Sequence, residues 1–208
     1  MTQKNKLSVE EAISYLEKDL HENPNSLIAH HRLALAYWKA GRLDDAISCF
    51  KKALSIDPHS FEIRINLGAI YFQTGQTEKG IEENKNALKI HPNSPEALIN
   101  IGAAYVQLKQ WEDAAHYFKK ALEISPDQLP ALANLTTVLV ELKQFDEAVE
   151  TAKKAVQLAP TFGLAHNNLA VAYYYKNDIE QAKIHAAKAE ELGYQVMPEF
   201  KEKLNKQD

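Results

Sequence analysis

Residues 27–60 read LIAHHRLALAYWKAGRLDDAISCFKKALSIDPHS. Leu33, Ala34 and Tyr37 fall at helical steps, and so do Leu43, Ala46, Ile47, Phe50 and Leu54 beyond Ala40-Gly41-Arg42. Steps of three and four put side chains on one stripe of a helix, so the stretch predicts two amphipathic helices joined by a turn. Gly41 suits that turn because glycine accepts the left-handed backbone that ends a helix. Pro58 closes the second helix, since it has no backbone donor and restricts the residue before it. Ser60 then stands where an N-cap would open a further helix.

The same pattern recurs along the chain. Pro24, Pro58, Pro92, Pro126 and Pro160 stand 34 residues apart and account for five of the eight prolines. Ala53, Ala87, Ala121, Ala155 and Ala189 keep the step, as do Leu33, Leu67, Ile101, Leu135 and Leu169. Tyr37, Tyr71, Tyr105 and Tyr173 form a third column, with Leu139 in the fourth place. A fixed period of this length marks stacked helix–turn–helix units. Five units follow, at 27–60, 61–94, 95–128, 129–162 and 163–196. A lone helix over 7–26 precedes them, and a capping helix over 197–206, with Phe200 and Leu204 turned inward, follows. The expectation is a single repeat array over 1–208. Later turns carry Gly75, Lys109, Lys143 and Asn177 in the Gly41 place, so the turn tolerates side chains. Ser26 and Ser94 repeat the Ser60 signal, the latter followed by Pro95 and Glu96.

Composition agrees with an all-α chain. It is 45% hydrophobic and 25% charged, within the ordinary globular range, and holds only seven glycines. The net charge of −4 offers no basic field for phosphates, which argues against nucleic acid as partner. Cys49, the sole cysteine, allows neither an internal disulfide nor a cysteine zinc site. The polar MTQKNK start and the absence of ~18 consecutive apolar residues predict no signal core and no membrane insertion, hence a cytoplasmic protein. No phosphate loop, nucleophile elbow or zinc-protease motif occurs. His30 and His31 are adjacent and point apart, and no histidine pair sits at i, i+4, so the histidines read as packing or surface residues. Asp44-Asp45, Glu82-Glu83 and Glu190-Glu191 read as solvated faces of second helices. No catalysis, metal or cofactor is expected.

These columns resemble the tetratricopeptide repeat family from about residue 7 to 196. The Leu, Tyr, Ala and Pro columns are well kept, with small Ala34, Gly68, Gly102, Thr136 and Ala170 after the Leu column. The family's second-helix aromatic survives as Phe50 and Phe118, while Asn84, Ala152 and Ala186 replace it elsewhere. Its early Trp column reads His30, Arg64, Leu98, Leu132 and His166. Gly80 and Asn84 lead to an expectation of loose packing in the second unit. The resemblance implies a right-handed superhelical solenoid, with first helices lining a concave groove that binds a peptide or protein segment.

Under that resemblance the residue before each Leu column faces the groove: Arg32, Asn66, Asn100, Asn134 and Asn168. An amide both donates and accepts, so an asparagine row can hold a peptide backbone; the alternative is that it bonds neighbouring helices. Flanking columns are His31, Ile65, Ile99, Ala133 and Asn167, then Leu35, Ala69, Ala103, Thr137 and Val171. The Trp38, Phe72, Val106, Val140 and Tyr174 column faces the groove or packs between repeats. Such a face is apolar with a polar spine and suits an apolar or amphipathic segment. Helix spacing and strand rise together give an extended ligand one asparagine about every third residue, and a helical one about every sixth or seventh. Chaperone-docking members use Lys and Asn where this chain has Ile65, Ile99, Ala69 and Ala103; only Arg32 and Lys39 can meet an acid. The expected function is a monomeric, non-catalytic scaffold or adaptor. The alternative is a scaffold that oligomerises through its array ends, starting from the unpaired first helix.

Overall fold

The computed structural model describes residues 8–206. Leu7, where the lone N-terminal helix is expected to begin, and the MTQKNK segment lie outside the described residues. Among the described residues there are twelve α-helices and no strand. The chain divides into two compact units, Met1–Asn93 and Ser94–Asp208.

The first unit holds α1 (Val9–Glu22), α2 (Leu27–Lys39), α3 (Leu43–Ile56), α4 (Phe61–Gln73) and α5 (Thr77–Ile90). Ser8 opens α1 with a capping box, its hydroxyl accepting from Glu11 N–H at 3.2 Å while the Glu11 carboxylate accepts Ser8 N–H at 2.7 Å. Ser26 caps α2 by accepting from Ala29 N–H at 3.2 Å. Ser60 holds the N-cap place of α4 without a side-chain capping bond. The turn before it is looser: Ser60 N–H lies 3.5 Å from the Asp57 carbonyl, against 3.0 Å for Ser26 and Asn23. One continuous core joins Ile13 and Leu16 of α1 to Leu33, Phe50, Ile63, Leu67 and Ile70. Cys49 lies half-buried at its edge.

The second unit holds α6 (Pro95–Gln107), α7 (Trp111–Ile124), α8 (Leu129–Glu141), α9 (Phe145–Leu158), α10 (Gly163–Tyr175), α11 (Ile179–Glu191) and α12 (Pro198–Asn205). Ser94 caps α6, with Pro95 in its first turn. At the far end Leu204 is buried against Ala170, Ala182 and Ala186, and Phe200 meets the Tyr174 ring edge-on at 5.5 Å.

One turn geometry serves all five hairpins. Gly41 and Gly75 have φ of 76° and 73°, and Lys109, Lys143 and Asn177 take the same left-handed backbone at 56°, 59° and 69°. Each is flanked by a pair of bonds such as Arg42 N–H to Tyr37 O at 2.9 Å and Gly41 N–H to Trp38 O at 3.0 Å. These satisfy the last carbonyls of the first helix.

The second hairpin is not loosely packed. The Asn84 side chain is fully buried against Gly68 and donates to the Gly80 carbonyl at 2.8 Å. The Phe72 ring lies over Gly80, so closely that no Cβ would fit there. Asn84 itself stands in the place of the missing aromatic, and a ring from the first helix, Phe72, packs one turn away at Gly80. In the third hairpin Phe118 takes against Gly102 the place that Asn84 takes against Gly68, and a Cβ added at Gly102 would meet its ring at 2.8 Å.

Candidate protein-binding face

The first helices of the two units are α2 and α4, then α6, α8 and α10. On α2 and α4, Arg32 and Lys39 are exposed, while Ile65, Asn66 and Ala69 are half-buried. The Asn66 amide lies 3.3 Å from His31 Nε2. Burial pushes the His31 imidazole below its usual pKa, with the Glu62 carboxylate opposing. The Trp38 indole is partly buried and donates to the Gln73 side chain at 2.8 Å, so it bridges two first helices and keeps an edge at the surface.

In the second unit Ile99, Asn100, Ala103, Asn134, Asn167 and Asn168 are half-buried and Thr137 is exposed. Asn168 Nδ2 donates to the Ala133 carbonyl at 3.3 Å, and the Thr137 hydroxyl donates to the same oxygen at 3.3 Å. Thus Asn66 and Asn168 each engage the preceding first helix, while their residue faces stay open. Among the described residues Asn134 makes no side-chain hydrogen bond.

Thr137, Asn167 and Asn168 line a cleft of about 240 Å³ between α8 and α10, together with Val140, Val171, Glu141 and Tyr175. Sequence reasoning missed Glu141 and Tyr175. Each lies four residues beyond an expected groove residue, Thr137 or Val171, so continuing the same helical stripe by one turn reaches them.

A second arrangement went unseen in the sequence. Where the early Trp column is polar it ties the helix start to the preceding proline: His30 Nε2 lies 3.0 Å from Pro24 O, and His166 Nε2 lies 3.1 Å from Pro160 O. Arg64 donates to Pro58 O at 2.9 Å and pairs with Glu83 at 2.7 Å. Glu83 is therefore not on a solvated face, as its side chain is 21% exposed. In the same register His166 Nδ1 lies 3.0 Å from His185 Nδ1, and the Tyr173 ring stacks on His185 at 5.7 Å. Among the described residues no group of three His, Cys, Asp or Glu is placed to hold a metal. Nor is any helix there long and apolar enough to cross a membrane.

Four models described as tetratricopeptide repeat match residues 8–61, 37–97, 95–128 and 129–162, together well over half of the 208 residues. The chain belongs to the tetratricopeptide repeat family. It is thereby a protein-interaction scaffold in the general sense of that family, whose scaffolds are typically non-enzymatic. No curated protein sequence matches it. Among solved structures it is similar to MamA, with a TM-score of 0.71 at 25% identity over 77% of this chain and 94% of that one. It is also similar to YrrB, described as a TPR protein with an unusual peptide-binding site, at TM-score 0.70 and 22% identity over 87% and 93%. The Cut9–Hcn1 structure of the APC/C gives TM-score 0.73 at 21% identity over 89% of this chain and 37% of that one. The last two likenesses are of fold.

Proposed function

We propose that this tetratricopeptide repeat protein holds an apolar or amphipathic segment of a partner protein along the face of its first helices, without catalysis of its own. The observation that carries the reading is the incomplete burial of that face. Ile65, Ile99, Ala69 and Ala103 stay half-buried where a sealed stack would cover them, and Leu35 is 40% exposed. Apolar surface repeated on successive helices is what a docked segment covers. The asparagines sit among these residues, and Asn134 has both amide groups available to a peptide backbone. The peptide-binding site in YrrB's description is compatible with such use of this fold.

The test is capture of co-purifying partner by the wild type and by Asn66→Ala/Asn100→Ala/Asn134→Ala. Loss of capture with unchanged helical circular dichroism supports the reading; equal capture removes the amide row from it. A second reading, oligomerisation through an array end, draws on Tyr15 of α1, 64% exposed, and Ile28, 68% exposed. Light scattering of the chain with and without residues 1–26 decides it, because an adaptor stays monomeric both ways.

A further inference from the structure

The three first helices of the second unit read PEALINIGAAYVQ, LPALANLTTVLVE and GLAHNNLAVAYYY, and they contain no lysine or arginine. Their charged residues are Glu96 and Glu141. Glu141 lies in the α8–α10 cleft, whose volume of about 240 Å³ is below the ~300–1,000 Å³ of small-molecule sites. A space of that size suits one side chain rather than a cofactor.

The cleft holds donors in the Asn167 and Asn168 amides and the Tyr175 hydroxyl, but the charge in its lining is the Glu141 carboxylate. The Thr137 hydroxyl has one proton, directed at Ala133 O, which leaves its lone pairs outward. Asn168 directs one amide N–H at the same carbonyl, and its own carbonyl oxygen has no partner among the described residues. The ionised Glu141 carboxylate accepts only. Lys143 stands in the turn two residues beyond Glu141, and Lys176, which follows α10, is held by Asp146 at 2.6 Å. Tyr175, 46% exposed, stacks on Phe145 at 5.9 Å, which fixes the ring at the cleft's edge. Val140 and Val171 supply aliphatic walls.

Taking the binding face proposed above as given, we infer that this cleft receives a lysine or arginine side chain of the bound segment. Such a side chain brings a positive charge and several donors, which match the Glu141 carboxylate and the outward oxygens of Thr137 and Asn168. Its methylene stem packs on Val140 and Val171 while the cationic head reaches Glu141 and the Tyr175 ring. An acidic side chain would meet Glu141 with like charge, and an apolar one would leave the carboxylate and the Thr137 and Asn168 oxygens without donors.

The test is a methyl- and amide-resolved NMR titration of the full chain with blocked peptides Ac-Ala-Ala-Xaa-Ala-Ala-NH2, where Xaa is Arg, Leu or Glu. The arginine peptide is expected to shift Thr137, Val140 and Val171 saturably and about fivefold more tightly than the other two, by the usual strength of exposed ion pairs and cation–π contacts. Glu141→Gln is expected to reduce that preference to about twofold or less, and raised salt to weaken it. Equal binding of the leucine peptide at these residues overturns the cation site but leaves a binding face. Stronger binding of the glutamate peptide, or no shift by any peptide, overturns the cation site, while the asparagine variant tests the face itself.

Discussion

The first helices of the two units share their repeat columns and differ in what they expose. In α2 and α4 the charges are Arg32, Lys39, Glu62 and Arg64, with Arg64 tied to Glu83 and Arg32 and Lys39 open to solvent. In α6, α8 and α10 no lysine or arginine occurs and Glu141 lines a cleft. The buried Leu and Ala columns barely change between the units, because each hairpin needs them, whereas the Phe50, Asn84, Phe118, Ala152 and Ala186 column varies with what its neighbours fill. The open columns change freely, so ligand chemistry in this family resides in a few side chains laid over a constant frame.

The strongest way to break the comparison is through the buried columns, which are common to both units. Phe118→Ala is expected to cost ~3–5 kcal/mol, because the ring is fully buried and packs on Gly102. Gly80→Ala in the first unit drives a methyl into the Phe72 ring and is expected to cost ~1–3 kcal/mol. Hydrogen exchange read helix by helix checks both. If Gly80→Ala leaves α4 and α5 as protected as in the wild type, the close fit of Phe72 is refuted.

Acidification sharpens the contrast. Burial, and then the neighbouring His166, lower the His185 pKa in the second unit, and burial lowers that of His31 in the first. A histidine held below its unfolded value of about 6.5 adds stability that is present in full above that pH and declines as pH falls toward the folded pKa. Protonating both facing Nδ1 atoms of His166 and His185 also leaves two donors opposed. The fourth hairpin has Leu132 and Thr151 in this register, so His166→Leu/His185→Thr copies an existing pair. Protection of α10 and α11, measured against the intrinsic exchange rate at each pH, should then cease to fall between pH 7.5 and 5.5, while the His31 region of α2 keeps its response. An unchanged loss of protection in α10 and α11 would place the pH dependence elsewhere.

The smallest expected effect lies in the turns. Lys143→Gly relieves a left-handed residue with a side chain and should stabilise by about 0.5–1 kcal/mol, partly offset by a more flexible unfolded chain. Thermal melts read it. The same change at Gly41 is already present by nature, so the second unit gains what the first has.

The hairpins were legible because proline, small and large columns obey one period, and a period survives substitutions at single places. The left-handed turn was legible from Gly41, and its extension to Lys109 and Lys143 followed from register alone. Two things escaped. Packing at Gly80 and Asn84 was misjudged because a column read by itself cannot see a ring arriving from Phe72 on the other helix. The Arg64–Glu83 and His166–His185 pairs escaped because 19 residues is no helical spacing; it is a distance set by how two helices lie together. The asparagine row reached the half-open face, yet no sequence rule foretold that Asn168 and Thr137 would share the Ala133 carbonyl.

Cys49 carries a practical corollary. Its thiol is pushed above the usual pKa by burial and by Asp45, with Arg42 opposing, so the nucleophilic thiolate is scarce at neutral pH. A maleimide dye should therefore prefer a cysteine introduced at an exposed place such as Thr137 or Arg32. The native sulfur can stay in the chain during site-specific fluorescence work.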